Sequence, residues 1–180
     1  MPTRRLAPAL LAIALLALFP TLARADLWAA ISGGAFLPSG ASRFGSMQTR
    51  ATASLAVGWD SEYVGGSLWA GFVNSGAGQV FTEDCFPVAV RARGRLPLGV
   101  FAPFVYGGVG FAPSRALVNM VASQTVAFTA QAGGGFDLVF GEMFTIGAEA
   151  GYLWLQPSYD FGTVDMNGML LLATFALRFP

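Results

Sequence analysis

The sequence of 180 residues contains no histidine. Histidine is the side chain whose unperturbed pKa lies near neutral pH, and many catalytic arrangements depend on it. Its absence excludes a Ser-His-Asp triad, a Cys-His pair and a histidine-bearing zinc site. The ten acidic residues are scattered along the chain, so they do not suggest carboxylate catalysis either. We therefore expect a protein that is not an enzyme and carries no cofactor.

Cysteine and lysine are also scarce. Cys85 is the single cysteine, so no internal disulfide can form within the chain. In an oxidising compartment its thiol would stay free or pair with another molecule, and we interpret it as incidental. Every basic residue is an arginine, which suggests a genome of high GC content.

Long apolar runs are missing as well, although the chain is 54% hydrophobic. An arginine pair near the start precedes an apolar stretch over residues 9–19, and Ala23-Arg24-Ala25 follows it. This stretch is far short of the roughly 20 residues that a membrane-spanning helix needs. The order of these features is typical of a cleaved secretory signal. We predict a signal peptide over residues 1–25 and a single domain over residues 26–180.

The predicted mature chain carries seven arginines and ten acids, a net charge of −3. This balance gives no indication of nucleic-acid binding. The chain is nevertheless too hydrophobic for an ordinary soluble domain, and it has no run long enough for a membrane helix. A closed barrel resolves the conflict, because it satisfies every backbone group within lipid.

The chain contains eight apolar-rich segments of roughly ten residues, the length of a transmembrane β-strand. They are Leu27 to Phe36, Ala51 to Asp60, Tyr63 to Phe72, Phe86 to Leu96, Phe101 to Phe111, Thr125 to Leu138, Phe144 to Leu155 and Gly168 to Phe179. Long connections over residues 37–50, 73–85, 112–124 and 156–167 alternate with tight turns. Long outer loops and short periplasmic turns are typical of outer-membrane barrels.

Side chains within the segments alternate in character with period two. In the last segment one phase holds Met169, Leu171, Ala173, Phe175, Leu177 and Phe179. We expect this phase to face lipid. The predicted fold is all-β: an eight-stranded antiparallel up-and-down transmembrane β-barrel with its N- and C-termini in the periplasm. A soluble lipocalin-like barrel is the alternative, and it would bury its apolar phase around a ligand.

Aromatic residues cluster near the segment ends, which predicts two girdles at the membrane interfaces. The girdle at the periplasmic ends is Trp28, Trp59, Tyr63, Phe140, Phe144 and Phe179. The girdle at the outer ends is Phe36, Phe72, Phe86, Phe111, Tyr152 and Trp154. The alternation itself does not settle which way Trp28, Trp69 or Tyr106 faces.

Six charged residues fall on the inward phase of the predicted strands: Arg91, Arg93, Arg95, Asp137, Glu149 and Arg178. Charges inside a narrow barrel need partners, and we expect Glu149 to pair with Arg91 or Arg93. An eight-stranded interior is only just wide enough for side chains to fill. We predict a plug of ion pairs that fills the lumen. The alternative is a gate that opens a small pore when the partners exchange.

Three motifs carry a resemblance to a known family. They are Pro103-Phe104-Val105-Tyr106-Gly107-Gly108-Val109-Gly110-Phe111, Ala148-Glu149-Ala150-Gly151-Tyr152 and the ending Leu177-Arg178-Phe179. Over nearly all of the mature chain the sequence resembles the small eight-stranded outer-membrane barrels, the group of the OmpA transmembrane domain, OmpX and OmpW-like proteins.

The resemblance implies assembly by the barrel-assembly machinery, through a terminal signal formed here by Phe175, Leu177 and Phe179. Pro180 follows the final aromatic residue and departs from the family pattern. Two kinds of enzyme on small barrels, lipid A deacylases and palmitoyl transferases, pair a serine with a histidine. This chain cannot match either pattern, because it has no histidine.

Four acids lie in or next to the predicted loops: Glu83, Asp84, Asp160 and Asp165. We expect them to be solvated, and a divalent-cation site or a cation bridge to lipopolysaccharide is the alternative. We expect a monomer in the outer membrane of a Gram-negative bacterium, in contact with lipid and lipopolysaccharide.

The expected role is structural or one of surface interaction, such as envelope integrity, adhesion or contact with a host. The alternative role is a small passive conduit for ions or apolar molecules. A conduit would need a continuous apolar or uncharged path past Arg91 and Glu149. A lipid-modifying enzyme is a third hypothesis, and it lacks the histidine.

Overall fold

Eight strands account for most of the chain in the computed structural model, which describes residues 26–39, 41–42, 45–46, 48–77, 81–118 and 121–179. They are β1 (Asp26–Pro38), β2 (Arg50–Asp60), β3 (Val64–Ala77), β4 (Phe81–Cys85 and Val88–Arg95), β5 (Phe101–Val118), β6 (Val121–Phe140), β7 (Phe144–Leu155) and β8 (Gly168–Phe179). Two short pairs join Ala41–Ser42 to Gly45–Ser46 and Ser158–Tyr159 to Gly162–Thr163. The predicted signal peptide and Pro180 lie outside the described residues.

Each strand pairs antiparallel with its neighbours in the chain, and β8 closes onto β1 from Leu27 opposite Phe179 to Pro38 opposite Gly168. Closure leaves the sheet without an unpaired edge. The prediction of an all-β, eight-stranded antiparallel up-and-down barrel is therefore confirmed. Among the described residues no helix is long and apolar enough to cross a membrane.

The fourth strand is interrupted at Phe86 and Pro87, but its register does not change. Val73 of β3 lies opposite Cys85 before the interruption, and Ala70 lies opposite Val88 after it. Proline has no N–H to donate to the ladder. Its carbonyl still accepts a bond of 2.9 Å from the Gly71 N–H, so β4 is one continuous strand.

Three tight turns join the strands at the end of the barrel that holds the chain termini, which we call the terminus end. They follow β2, β4 and β6, as the sequence predicts. Gly99 and Gly141 occupy the second and third turns with φ of 71° and 63°. Glycine adopts this left-handed region without the steric conflict that a β-carbon brings.

The outer face of the barrel is apolar and the inner face holds the charges. In β8, Phe175 and Phe179 are 41% and 53% exposed, whereas Leu170 and Leu172 are almost fully buried. An exposed apolar surface that surrounds a whole protein marks contact with lipid rather than with water. This partition is the opposite of the lipocalin-like alternative.

Exposed aromatic side chains form a ring at each end of the apolar face. At the end opposite the termini, which we call the extended end, the rings of Phe72 and Phe86 are 5.1 Å apart and those of Phe111 and Phe128 are 6.3 Å apart. At the terminus end the corresponding pairs are Phe101 with Phe136 and Phe144 with Phe175. Two aromatic rings are the pattern of membrane interfaces.

The prediction of the girdles is wrong for two residues, because their side chains face inward. Phe36 is fully buried, and Trp28 lines an interior cavity. Near Phe36 the outward phase of β1 contains the small residues Gly33 and Ala35, whereas nearer the terminus end Leu27 and Ile31 are exposed. Phe36 therefore misrepresents which phase meets lipid.

The prediction of long loops over residues 73–85 and 112–124 is also wrong, because the strands continue through these segments. β3 and β4 reach Ala77 and Phe81, and β5 and β6 stay paired until Val118 lies opposite Val121. Small inward residues such as Ala112 and Ala116 keep the interior filled above the aromatic ring. The extended end is therefore a pair of β-hairpins that project beyond the aromatic ring.

Residues 156–167, which we call the cap segment, fold inward over the lumen. Tyr159, Val164 and Met166 of this segment are buried against interior residues of the barrel. Its backbone is tied to β7 and to itself, because the Met166 N–H donates to Leu155 at 2.9 Å and the Val164 N–H donates to Pro157 at 2.9 Å. The cap segment thus closes the extended end.

Candidate functional site

The candidate site is the polar interior of the barrel. It surrounds a cavity of about 50 Å³, which has room for about one or two water molecules. Five of the six residues of the predicted charge network line this space together with Asp60, and the sixth, Arg95, pairs with Asp60. A cavity of this size is too small for an organic ligand.

Arg91 of β4 occupies the centre of the interior and is only 6% exposed. Its Nη1 lies 3.2 Å from Oε1 of Glu149, and its Nη2 donates to Oε1 of Gln131 at 2.6 Å. The guanidinium carbon also lies 4.2 Å from the ring centre of Trp69 and 4.5 Å from that of Tyr106. One carboxylate, one amide and two aromatic faces thus hold a single buried cation.

Glycines on β5, β6 and β7 make room for these large side chains. A β-carbon at Gly133 or Gly151 would overlap the hydroxyl of Tyr106, which reaches across from β5. A β-carbon at Gly108 would collide with the side chain of Arg91 itself. Glycine-rich stretches on the facing strands therefore permit bulky residues to cross the lumen.

Arg93 and Arg95 form a second group nearer the terminus end. Arg93 makes an ion pair with Asp137, and its Nη1 lies 3.9 Å from Oδ2 of Asp60. Arg95 approaches the same Asp60 oxygen at 3.3 Å. The guanidinium of Arg93 packs over the ring of Phe104 at 3.9 Å. Asp60 therefore bridges two arginines.

Arg178 lies on the interior phase, but its ion pair is with Asp26 at 3.2 Å, beside the terminus end. The Asp26 side chain is 43% exposed, so this pair is partly solvated. The three inner arginines are balanced by Asp60, Asp137 and Glu149. The interior is thus close to electrically neutral, as burial of charge in a narrow barrel requires.

An apolar layer lies above the ion pairs, toward the extended end. It consists of Phe36, Trp69, Val73, Leu153, Leu155, Leu170 and Met166, each at most 2% exposed. The described side chains therefore fill the lumen in two ways, with paired charges below and an apolar cluster above. The uncharged path that a conduit would need past Arg91 and Glu149 is filled.

Glu83 and Cys85 of β4 contradict two expectations from the sequence. Glu83 was expected in solvent and Cys85 at an accessible strand end, yet both are fully buried. The Tyr159 hydroxyl donates to Oε1 of Glu83 at 2.6 Å, and Sγ of Cys85 lies 3.8 Å from the same oxygen. Burial raises the pKa of Glu83 to about 7, although the bond from Tyr159 opposes this shift.

The other predicted loop acids remain near the surface. Asp84 faces outward and accepts a hydrogen bond from the Asn74 amide, and Asp165 accepts one from the Asn167 N–H at 3.0 Å. Asp160 is exposed. Among the described residues no group of three or more metal-ligating side chains comes together.

The chain is similar to known proteins in its three-dimensional structure, whereas the sequence comparisons found no match. No protein-family model and no curated protein matches the chain. Neisserial surface protein A, NspA, superposes with a TM-score of 0.59 at 13% identity, over 86% of this chain and 97% of that one. OprG of Pseudomonas aeruginosa gives 0.57 at 14% identity, over 86% and 94%.

A third structure is Ail, the attachment invasion locus protein of Yersinia pestis, in complex with the heparin analogue sucrose octasulfate. It gives a TM-score of 0.50 at 12% identity, over 86% of this chain and 97% of that one. This chain has the fold of the small outer-membrane β-barrels. At such identities the shared property is the architecture.

Within this outer-membrane barrel fold, sequence reasoning missed the residues that complete the arginine sites. Asp60 sits at a strand end beside a turn, but it continues the inward phase of Thr52 and Ser54. Gln131 continues the inward phase of Thr129 on β6, and both are buried. A search for polar residues on the inward phase of every strand would have found these groups.

Proposed function

We propose that this chain is a monomeric outer-membrane protein of a Gram-negative bacterium with a structural or surface-interaction role, and that it does not catalyse a reaction. The apolar outer face between two aromatic rings supports residence in a membrane. In the proposed orientation the chain termini and tight turns face the periplasm. The projecting hairpins and the cap segment then face the cell exterior.

The filled lumen is the main observation that supports a barrel that does not conduct ions. Arg91 is held by Glu149, Gln131 and two aromatic rings, and the apolar layer lies directly above it. Opening a path would require breaking a desolvated ion pair and moving packed side chains together. The interior thus supports a plug that makes the barrel rigid rather than a pore.

The extended end supplies the polar surface that a role outside the cell needs. Beyond the aromatic ring, Asp84, Arg115 and Gln124 face outward on neighbouring strands, in register with one another. Arg115 is exposed, four residues beyond Phe111 of the aromatic ring. This placement supports contact with lipopolysaccharide, whose headgroup is anionic.

Assembly by the barrel-assembly machinery is part of the same proposal. Phe175, Leu177 and Phe179 form an exposed stripe on the outward face of β8, at 41%, 39% and 53% exposure. Such a stripe is accessible to a folding factor before the barrel closes onto β1. No cofactor is required for this role.

Membrane residence and closure are tested with the purified full chain. Unheated and boiled samples from outer-membrane fractions should migrate differently in detergent gels, because a closed barrel resists detergent. In planar lipid bilayers we expect no conductance steps, with a large porin as the positive control. Recovery from the soluble periplasm would refute membrane residence, and stable conductance of the wild-type chain would establish the conduit instead.

A deletion strain challenged with detergent and with serum distinguishes the structural role from the surface-interaction role. The strain is complemented with the wild-type chain or with a variant whose β5–β6 hairpin is shortened by joining Pro113 to Val126, which are register partners. A structural role predicts that both genes restore resistance. A role in surface interaction predicts that only the wild-type gene does so.

A further inference from the structure

The buried carboxyl of Glu83 lies outside the charge network and plays no part in the plug. Its side chain is fully buried, and Oε1 receives the Tyr159 hydroxyl at 2.6 Å. Its second oxygen, Oε2, has no hydrogen-bond partner among the described residues. A buried carboxylate with one unpartnered oxygen is strongly disfavoured compared with the neutral acid.

Glu83 lies beyond the part of the wall that faces lipid. The exposed aromatic ring of the extended end includes Phe86, which is three residues farther along β4. Past that ring the outward residues on neighbouring strands include the polar Asp84, Arg115 and Gln124, beside the exposed apolar side chains of Leu117 and Val126. The environment outside this part of the barrel is therefore headgroup or water, and protons reach it from solution.

Among the described residues, the groups that surround Glu83 include no cation that compensates its charge. Its own strand contributes Cys85, whose thiol is within 3.8 Å, and Asp84, which faces outward and raises the pKa of Glu83 further. The register partner on β3 is Ser75, and β5 contributes Ser114 near Cys85.

The two described arginines at this end of the barrel do not neutralise Glu83 either. Arg50 at the start of β2 is exposed and donates to Gln48. Arg115 of β5 is also exposed. None of the ion pairs formed between described residues involves Glu83.

Tyr159 connects this carboxyl to the cap segment. The tyrosine ring stacks on Phe161 at 5.0 Å and is buried with Val164 and Met166 in the apolar layer. The hydroxyl of Tyr159 is the polar contact that joins the segment to the β4 wall. Gly162 with φ of 122° forms the sharp bend at the tip of the segment.

We propose that the cap segment is a pH-responsive lid: neutral Glu83 holds it shut through Tyr159, and ionisation of Glu83 as pH rises releases it. The buried acid is stable only while protonated, since the closed lid keeps water away. Opening the lid admits water to the carboxylate and exposes the apolar residues beneath. The opening equilibrium of the lid therefore shifts toward the open state as pH rises.

The size of the effect follows from the two protonation equilibria. Burial raises the pKa of Glu83 from 4.5 to about 7 in the closed state, and an open, solvated glutamate keeps its ordinary pKa. Closure is then fully favoured below the open-state pKa and weakens as pH rises toward the closed-state pKa. Between about pH 5.5 and about pH 8 the opening equilibrium should shift about 30-fold.

Cys85 provides a natural reporter, because it is the single cysteine and is buried in the cluster that the lid covers. The full chain is folded in detergent micelles, and the labelling rate of Cys85 with a maleimide is measured across this pH range. Each rate is divided by that of the same variant unfolded in urea at the same pH. This ratio removes the ordinary dependence of thiol reactivity on pH.

Three variants decide the outcome. The wild-type ratio should rise about 30-fold, and Glu83→Gln, which cannot ionise, should stay low and flat. Tyr159→Phe should label rapidly even near pH 5.5, because the lid loses its polar contact. The matched control Asp84→Asn should keep most of the wild-type rise, since burial is the main cause of the raised pKa of Glu83 and Asp84 adds only a smaller contribution.

Several results would overturn the proposal. They are a flat wild-type profile, a Glu83→Gln profile that rises like the wild type, or a rise abolished by Asp84→Asn. If Glu83→Gln gives no heat-modifiable band, Tyr159→Phe decides alone, and unchanged protection of Cys85 in that variant refutes the lid. Amide hydrogen exchange of Val164 and Met166, corrected for intrinsic rates, should follow the same pH profile.

Discussion

Removal of the Glu149 charge should destabilise the barrel through the arginine that it leaves behind. The pair joins Nη1 of Arg91 to Oε1 of Glu149 at 3.2 Å, and the two side chains are 7% and 11% exposed. Their attraction is about 5 kcal/mol at an effective dielectric constant of about 20. Loss of one partner from a buried pair costs about 3 to 5 kcal/mol.

The isosteric variant Glu149→Gln should lose less than Glu149→Ala, because the amide still accepts a hydrogen bond. Gln131 and the rings of Trp69 and Tyr106 also continue to hold the guanidinium. We expect a loss of about 2 kcal/mol for Glu149→Gln and about 3 to 5 kcal/mol for Glu149→Ala. Arg91→Met keeps an apolar side chain between the rings. The double variant of Arg91→Met and Glu149→Gln should therefore lose at least about 1.5 kcal/mol less unfolding free energy than the sum of the two single variants.

The assay is urea unfolding in lipid vesicles, followed by the emission of the tryptophans. The matched control is the cycle of Arg178→Met and Asp26→Asn, whose ion pair has the same 3.2 Å separation but a 43% exposed carboxylate. That cycle should give a coupling below about 1 kcal/mol. A coupling between positions 91 and 149 within about 0.5 kcal/mol of zero would show that the two groups do not interact.

Two further predictions concern aromatic residues on opposite faces of the wall. Phe36→Ala should destabilise the barrel by about 3 to 5 kcal/mol in the same assay, because it leaves a cavity in the apolar layer. Phe111→Ala, on the lipid side, should lower the stability by at most about 1 kcal/mol. Equal losses for the two variants would contradict the assignment of faces. Phe179→Ala should lower the yield of heat-modifiable protein in cells much more than Phe140→Ala, which removes a similarly exposed ring, whereas deletion of Pro180 should be mild. An unchanged yield for Phe179→Ala would argue against a terminal assembly signal.

The number and type of strands follow from the sequence because lipid imposes strict local rules. Every strand of a barrel must alternate between lipid and interior, so polar and apolar residues separate with period two along the chain. In β4 and β7 this alternation is clean, and it places Arg91, Arg93, Arg95 and Glu149 on one face. Fold class, strand order and the inward direction of these charges could therefore be predicted.

The alternation fails where small residues stand on the outside. In β1 the outward phase includes Gly33 and Ala35, so Phe36 was assigned to the outer girdle although it faces inward, and the face of Trp28 was not settled. Strand length was underestimated for a related reason. Beyond the aromatic ring the outer face mixes polar residues such as Arg115 and Gln124 with apolar ones such as Leu117 and Val126, so the alternation is lost although the backbone ladder continues to Val118.

Which charges meet was decided by the tertiary structure, because partners come from strands that are distant in sequence. The closed barrel and its register bring Asp60 of β2 to Arg95 of β4, and Gln131 of β6 to Arg91. Glu83 and Tyr159, 76 positions apart, meet only because the cap segment folds back into the lumen. The sequence by itself determined a membrane barrel with charges inside, since alternation is a local property. How those charges are paired and which acid is buried depend on barrel closure and on the inward fold of the cap segment. These are properties of the whole chain, so only the tertiary structure decided them.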